Sequence, residues 1–413
     1  MSHSAQCILL YNPISGHGHL DSWNAMFVGI LLEAGWRVNV ATPDAADLKT
    51  RLQSKNYASS PNLHILDWSA SGRSFGQRIF GRLRRMLSPQ SVVSPDVIDP
   101  RFLDPLDLGQ RLASFKKKSK WRPTVIFNMY MDMYALDKNR WTSFEAVNPL
   151  PWMGIRFVPS ETGAEAYYQL PSFAGMCFLN ENIQKSYQAR MPEKSFAYLP
   201  DITEDALPSR QTELVAHIKA QAQGRHIVFL GGTLGGNKNL ARWYELIALA
   251  DPARWYFVQI GELFENTLTP DDAEAFAKII QKCPDNLFIK REYLPDEAAF
   301  NEVILASAVI FAVYRNFTLS SNMLGKAAAF DRPILVADGH LMGQRVQQYG
   351  IGLVVPENDV QKMYIGLQQL LSDYDLFKDN FSAYRKDFSL EALGERLITC
   401  LQEGIKNSQQ GAR

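Results

Sequence analysis

Short apolar runs, many of them β-branched, alternate with longer amphipathic runs along the chain, and this series begins again near its middle. The alternation predicts β-α units and a mostly parallel sheet, because parallel strands need long crossovers that are usually helical. The restart predicts two Rossmann-like, doubly wound α/β domains. A chain of 413 residues is long enough for both. Strands are predicted at 7–11, 37–42, 63–66, 124–129, 152–157 and 175–179, and then at 226–232, 255–261, 287–290, 308–314, 333–337 and 352–355.

The alternation of apolar and amphipathic runs stops after Tyr198, where LPDITEDALPSR combines two prolines with acidic and polar residues. This composition is typical of an exposed linker. We therefore expect one domain at residues 1–200 and a second at 201–413. Ligands of doubly wound sheets bind outside the carboxyl ends of the strands, so the cleft between the two domains is the expected site.

Bulk composition narrows the possible partners and the compartment. Lys plus Arg equals Asp plus Glu at 43 each, which gives no indication of nucleic acid or another polyanion as a partner. The four cysteines are far apart, which favours reduced thiols over a disulfide framework or a zinc site. The chain has no secretory signal pattern and no apolar run of about 20 residues, so a cytoplasmic protein is expected.

Two basic stretches, residues 73–88 and 115–121, mix Lys and Arg with large apolar side chains. They fit contact with an anionic membrane surface, which would put the protein at the inner face of the membrane. An ordinary solvated helix and loop is the alternative, since basic helices of this kind are common on protein surfaces. Both interpretations remain open at this point.

A glycine-rich loop with two histidines follows the first predicted strand. Two histidines in so short a loop at the carboxyl end of a strand favour a role in binding or chemistry. A neutral imidazole accepts a proton near pH 7, which makes His19 a candidate general base. Its neighbours Ser15, Gly16, His17 and Gly18 are then candidate contacts of the group that loses the proton. In the alternative, the histidines only bond the loop backbone.

Asp132 follows the strand predicted at 124–129 and is a candidate partner for His19. A carboxylate beside a basic histidine fixes its tautomer and stabilises the imidazolium. The alternative is that Asp132 caps the helix that follows it.

A second glycine-rich loop, Gly231-Gly-Thr-Leu-Gly-Gly-Asn-Lys-Asn, joins the first strand of the second half to a helix. Backbone N–H groups at a helix amino end, with a nearby lysine, form a site for a diphosphate. The candidate contacts are Gly232, Thr233, Gly235, Gly236 and Lys238. A simple tight turn remains the alternative.

A polar loop and a helix rich in small residues follow the strand predicted at 308–314. The helix is expected to start near Ser320 and to point its positive end at an anion. Ser320 and Ser321 are candidate phosphate ligands, and Arg315 and Lys326 are candidate sources of charge. The alternative for the two serines is helix capping alone.

From about Arg225 to Asp359 the chain resembles the C-terminal half of GT-B glycosyltransferases, the family-4-like group in particular. The resemblance rests on the glycine-rich loop with Lys238, on Arg291-Glu-Tyr-Leu-Pro, and on the stretches 308–314, 328–337 and 349–359. It implies a nucleotide base near Tyr293 and Leu294, and a diphosphate between the second glycine-rich loop and the Ser320 helix. The His19 loop is similar to the catalytic-histidine loop of inverting family-1 transferases.

The chain departs from the family-4 pattern at two places. The paired glutamates of that family, eight residues apart, are replaced by Thr318 and Lys326 at the matching positions. The arginine that shares the diphosphate with the loop lysine is replaced by Thr233, and Arg315 is the candidate substitute. The one Asp-x-Asp of the sequence, Asp373-Tyr-Asp375, does not follow a predicted strand, so a metal-independent enzyme is expected, with helix dipoles and basic residues stabilising the leaving diphosphate.

The resemblance implies a hexosyltransferase-type glycosyltransferase, with an acceptor-binding N-terminal domain and a nucleotide-sugar-binding C-terminal domain. The expected donor is a nucleotide diphosphate sugar, without a further cofactor, and the expected acceptor is a hydroxyl group of a lipid-linked glycan or polysaccharide. His19 as the base favours inversion, whereas the family-4-like half favours retention. The alternatives are a sugar-nucleotide 2-epimerase and a non-catalytic, sugar-nucleotide-binding scaffold protein.

Overall fold

The computed structural model describes residues 6–15, 20–53, 55–68, 104–132, 134, 138–148, 150–160, 163–294 and 296–411. The chain divides into two compact units, residues 1–199 with 390–413 and residues 200–389. Each unit contains one sheet in which every strand pair is parallel. The predicted α/β fold with two doubly wound sheets is therefore confirmed.

The first unit contains a seven-stranded sheet in the order β3-β2-β1-β4-β5-β6-β7. Its strands are rich in apolar residues because helices cover both faces of a parallel sheet. The elements along the chain are β1 (Cys7–Tyr11), α1 (Leu20–Glu33), β2 (Arg37–Thr42), α2 (Ala45–Gln53), β3 (Leu63–Asp67), α3 (Pro105–Lys118), β4 (Val125–Asn128), α4 (Lys138–Val147), β5 (Trp152–Arg156), β6 (Phe173–Phe178), α5 (Glu181–Arg190) and β7 (Ser195–Tyr198).

An aromatic cluster fills the core on one face of this sheet. Trp141 of α4 stacks on Trp152 of β5 with ring centroids 5.8 Å apart, and Phe173 meets Trp152 edge to face at 5.2 Å. Such pairs add to the area that the rings bury. They hold α4 against β5 and β6.

The second unit contains a six-stranded sheet in the order β10-β9-β8-β11-β12-β13. Its elements are α6 (Glu213–Ala222), β8 (His226–Gly231), α7 (Leu240–Leu249), β9 (Trp255–Ile260), α8 (Pro270–Lys282), β10 (Leu287–Lys290), α9 (Glu297–Ala306), β11 (Val309–Ala312), α10 (Met323–Ala329), β12 (Ile334–Ala337), α11 (Leu341–Tyr349), β13 (Gly352–Val355), α12 (Val360–Ser372), α13 (Tyr374–Phe377) and α14 (Phe381–Asp387). Side chains cap several of these helices at the amino end, as expected for Thr and Asp at that position: Thr212, Thr269, Asp296 and Asp359.

The last helix, α15 (Leu390–Gly411), belongs to the first unit. It packs on β6 and β7, where Cys400 places its Sγ 3.9 Å from the Sγ of Cys177. The first stretch of this unit ends at 199, next to the predicted boundary. The predicted second domain, 201–413, wrongly included α15, which returns to the first unit. An amphipathic pattern shows that a helix has a buried face and does not show which sheet covers it.

The strands predicted from the sequence are all present, and β7 is an additional one. The four cysteines are free thiols, as predicted. The basic stretch 73–88 lies outside the described residues. Among the helices that the structure describes, none has the length and hydropathy needed to cross a membrane.

Candidate functional site

The glycine-rich loop after β8 packs tightly against the turn after β9. A Cβ on Gly261 would lie 1.8 Å from the carbonyl oxygen of Gly232, and one on Gly236 would lie 2.2 Å from that of Thr267. Gly232 itself has a φ of +89°. The loop therefore needs glycine because two backbones approach closely. It ends in a short 3-10 helix, Gly236–Lys238, before α7 begins.

Several of the loop's backbone amides are already used inside the unit. Four of them donate to oxygen atoms at 2.9 to 3.3 Å, namely those of Gly232, Leu234, Gly236 and Lys238. The prediction that the loop bares its amides to a diphosphate is wrong for these four, because the β9 turn supplies acceptors to three of them. Thr233 is exposed, and Gly235 is buried.

Lys238 keeps unused donor capacity at the carboxyl end of β8. Its ammonium lies 3.8 Å from the ring centroid of Tyr314 and donates to the carbonyl of Gly231 at 3.2 Å, while the residue is 7% exposed. An ammonium has three N–H donors, of which one has this carbonyl as its acceptor. The hydroxyl of Tyr314 is buried and has no hydrogen-bond partner among the described residues. The ammonium of Lys238 and the hydroxyl of Tyr314 thus both retain hydrogen-bonding capacity that the described residues do not use.

Arg315 forms a buried ion pair and is not free for a diphosphate. Its guanidinium donates to the two carboxylate oxygens of Asp272 at 2.6 and 3.1 Å and to Asn239 at 3.1 Å. Burial would raise the pKa of Asp272, but hydrogen bonds from Arg315, the Ala241 amide and Thr269 hold it below its ordinary value. The prediction that Arg315 replaces the missing diphosphate arginine is therefore not supported, since α8 supplies its counter-charge.

Lys326 is also saturated by the protein. The residue is 2% exposed, and its ammonium donates to the carbonyl of Glu204 at 2.7 Å, to Asn301 at 2.5 Å and to the carboxylate of Glu297. These three acceptors match its three donors. Burial lowers the pKa of Lys326, and the carboxylate of Glu297 opposes this shift. Lys326 was predicted to supply charge to an anion. Instead, it links α10 to α9 and to the segment after β7 through these hydrogen bonds.

We expect Lys326→Met to lower the free energy of unfolding by about 2 kcal/mol, because Asn301 and Glu204 each lose a buried hydrogen bond. Glu297 contributes less because its side chain is 34% exposed and water can replace the ammonium. Urea denaturation measures the loss, and Lys362→Met, at a lysine whose side chain is 62% exposed, is the control. Equal stability of the two variants would show that the hydrogen bonds of Lys326 do not stabilise the fold.

Ser320 and Ser321 lie before the helix and not in its first turn, because α10 begins at Met323. The hydroxyl of Ser320 accepts from Arg345 at 2.7 Å and donates to Asp201 at 3.0 Å. The hydroxyl of Ser321 accepts from the amide of Met323 at 3.4 Å. Other residues of the protein thus occupy both hydroxyls. Ser321 bonds an amide of α10, as its capping alternative expects, whereas Ser320 bonds two side chains and no amide of the helix.

Three further predicted donor contacts lie at or near the same edge of the second sheet. Thr318 is exposed in the loop after β11. Tyr293, 64% exposed, and Leu294, half-buried, follow β10. In a parallel sheet these loops share an edge with the loop that carries Lys238.

In the first unit, Gly16, His17, Gly18 and His19 lie outside the described residues, and Ser15 is half-buried at the last described position before them.

Asp132 holds the turn after β5 together. Its carboxylate accepts from the amides of Phe157 at 2.9 Å and Val158 at 2.8 Å, and Nε of Arg156 lies 3.6 Å away. Burial raises the pKa of Asp132, although these amides and Arg156 oppose the shift. The alternative that it caps the following helix is wrong, since the amides it binds belong to the turn after β5. Its contact with His19 stays a prediction.

The sequence analysis missed a group of buried amides in the first unit. Asn12 follows β1, is fully buried, and has no hydrogen-bond partner within the described part of the chain at either side-chain atom. Asn24 in α1 and Asn128 at the end of β4 each have one such atom, Oδ1 and Nδ2. An unpartnered buried polar group costs about 1–3 kcal/mol, so such groups usually bond to water or a ligand. The sequence signal that could have identified them is a polar residue at the end of an apolar strand, as at Asn12 and Asn128.

The residues that the structure describes contain no group of three or more His, Cys, Asp or Glu side chains that could hold a metal ion.

No protein-family model matches this sequence, and no curated protein is significantly similar to it. Solved structures do share its fold. A glycosyltransferase from Rickettsia africae aligns with a TM-score of 0.64 at 11% identity, covering 98% of this chain and 100% of that one. The E. coli trehalose-6-phosphate structure bound with UDP-2-fluoro glucose gives 0.63 at 12%, covering 96% and 98%. Anabaena HepE in complex with UDP and glucose gives 0.61 at 10%, covering 96% and 99%. The fold is that of GT-B glycosyltransferase structures, as predicted.

Proposed function

We propose that this chain is a metal-independent glycosyltransferase that moves a hexose from a nucleotide diphosphate sugar to a hydroxyl group. Two of the structures that share its fold hold UDP or a UDP-sugar analogue, which supports UDP as the nucleotide of the donor. The second unit binds the donor, and the first unit binds the acceptor. This assignment agrees with the sequence resemblance, which covers most of the second unit.

The observation that carries the proposal is the ammonium of Lys238 at the carboxyl end of β8. It has N–H donors to spare, and Tyr314 beside it has an unpartnered hydroxyl. When the bond between the anomeric carbon and the diphosphate breaks, its electron pair leaves with the diphosphate. A fixed ammonium stabilises this developing negative charge better than water does, because it needs no reorganisation. The nucleotide base lies over the exposed ring of Tyr293.

The acceptor binds at the loop of residues 15–19. In the proposed step the acceptor oxygen forms the bond to the anomeric carbon, and its proton passes to His19. A lipid-linked glycan or polysaccharide is the proposed acceptor, at the cytoplasmic face of a membrane.

We expect Lys238→Met to weaken UDP binding about 10- to 100-fold, the value of a charge-assisted hydrogen bond to a phosphate. Methionine keeps most of the length and the apolar packing of the side chain on Tyr314 and removes the charge and the donors. A thermal-shift titration with UDP, UDP-hexoses and other nucleoside diphosphates measures the effect, because ligand at 100 times its Kd stabilises by about 2.7 kcal/mol. Lys282→Met, at an exposed lysine of the same unit, should bind as the wild type does.

UDP affinity that is unchanged in Lys238→Met would overturn the donor site, provided that the wild type binds UDP. Tight binding of a different nucleoside diphosphate, lost in the same variant, would retain the site and change only the base.

A non-catalytic, sugar-nucleotide-binding protein is the second candidate. The engagement of Arg315, Lys326 and Ser320 by the protein itself favours it, because a transferase of the resembled family offers more groups to the donor. The two candidates differ in turnover. A transferase releases UDP from a UDP-hexose in the presence of acceptor, or slowly to water, whereas the second candidate binds the donor and leaves it intact.

A further inference from the structure

Cations collect at the amino edge of the sheet in the first unit, around one tryptophan. We define the Trp121 surface as Trp121 together with the exposed side chains of Arg37, Lys117, Lys118, Lys120 and Arg122 and the half-buried Lys116. Lys116, Lys117 and Lys118 form the last turn of α3, and Arg37 begins β2. The surface therefore combines two elements and the segment that joins α3 to β4.

Hydrogen bonds to the sheet hold this joining segment in place. The amide of Lys120 donates to the side chain of Asn39 in β2 at 3.1 Å, and Asn39 donates back to the carbonyl of Trp121 at 3.1 Å. The amide of Thr124 donates to the carbonyl of Cys7 at 2.8 Å. The cations are thus carried on a fixed backbone and not on a free loop.

None of the six cations forms an ion pair with a carboxylate of the described residues. Instead, the ammonium of Lys120 lies 4.6 Å and the guanidinium of Arg37 6.0 Å from the ring centroid of Trp121. One turn further back on the same helix, Arg111 does pair with Asp107, at 2.7 Å. Because the whole chain has a net charge of zero, this surface is a local excess of positive charge.

We propose that the Trp121 surface docks on an anionic lipid bilayer. Tryptophan is enriched at membrane interfaces, and long lysine and arginine side chains reach anionic headgroups beside it. Each such cation strengthens binding to an anionic surface about fivefold. A nucleic acid fits less well, because single strands are held by several stacking aromatic side chains and this surface has one. The inference does not depend on the donor chemistry. It favours the membrane alternative for the basic stretch 115–121, and its residues are separate from the stretch 73–88.

The test is cosedimentation of the full chain with vesicles of phosphatidylcholine alone and with vesicles half of phosphatidylglycerol. Binding is expected only to the second kind, and it should disappear at about 0.5 M salt, where charges are screened within a few ångströms. Replacing Lys116, Lys117 and Lys118 together by glutamine is expected to weaken binding on the order of 100-fold. Trp121→Ala should also weaken it. The matched control is the same change of charge at exposed lysines elsewhere in the first unit, Lys49, Lys55 and Lys185.

Equal vesicle binding by the two triple variants would overturn the proposal, as would binding to neither kind of vesicle. Binding to a DNA or RNA oligonucleotide without binding to anionic vesicles would also overturn it. If the last-turn lysines served only to stabilise α3 at its negative end, their replacement would lower thermal stability without changing vesicle binding. UDP-induced stabilisation of the triple variant should match that of the wild type, which separates this test from that of the donor site.

Discussion

Replacing Arg315 by alanine should lower the free energy of unfolding by about 3–5 kcal/mol at pH 7, because it leaves a buried carboxylate without its counter-charge. Asp272 is fully buried, and the guanidinium contacts both of its oxygen atoms. The same guanidinium bonds Asn239, whose side chain also reaches the carbonyls of Val313 and Glu357. Its loss therefore loosens the loops at the carboxyl ends of three strands.

The loss of stability should become smaller as the pH falls. In the wild type the pKa of Asp272 is held below its ordinary value, so the carboxylate stabilises the fold above about pH 4 and this contribution disappears as pH falls through the folded-state pKa. Without Arg315, burial dominates and the folded-state pKa of Asp272 should rise. Protonation then favours the folded variant, and the difference from the wild type narrows between pH 7 and about pH 4.

Urea denaturation of both proteins at several pH values measures this difference. The double variant Arg315→Met with Asp272→Asn is the control, because it removes both charges and keeps an acceptor for the amide of Ala241. It should recover a large part of the lost stability. A loss of less than about 1 kcal/mol in Arg315→Ala, or one that does not depend on pH, would show that the pair does not stabilise the fold.

The strands could be predicted because their signal is local. A buried parallel strand is a short apolar run between turn residues, and the run at Cys7–Tyr11 is fully buried as such a pattern requires. The strand β7 was missed because SFAY is short and half of it is only partly buried. The assignment of α15 failed for a different reason. Its place on the first sheet depends on contacts such as that between Gly404 and Met153, which are remote in sequence.

The positions of the candidate site residues could also be predicted, but their partners could not. Arg315 and Lys326 were correctly placed in and after the loop that follows β11. Whether such a cation is free for a ligand depends on acids far away in sequence, Asp272 for one and Glu297 for the other. Lys238 differs because the partners that are close to its ammonium are a ring and a single carbonyl. Charge balance around each side chain is a property of the fold.

Fewer side chains are free for the proposed donor than the sequence indicated, because Arg315, Lys326 and Ser320 bond to the protein itself. The proposed base is the other group whose removal tests the function. We expect His19→Ala to lower the rate of UDP release from a UDP-hexose about 10²- to 10⁴-fold, the usual contribution of a general base. UDP binding should not change, because the second unit holds the donor. The wild-type rate should fall on acidification, since an imidazolium cannot accept the acceptor's proton, and this dependence should vanish in the variant.

Initial rates of UDP release, with and without a glycan-lipid acceptor mixture, measure the effect. His217→Ala is the control, because it removes an exposed imidazole of α6 that lies outside the proposed sites, and it should retain most of the activity. If His19→Ala kept the wild-type rate while Lys238→Met abolished turnover, the chemistry would proceed without this base. Inversion at the anomeric carbon would then lose its support from the sequence, and retention, favoured by the family-4-like second half, would become the expected outcome.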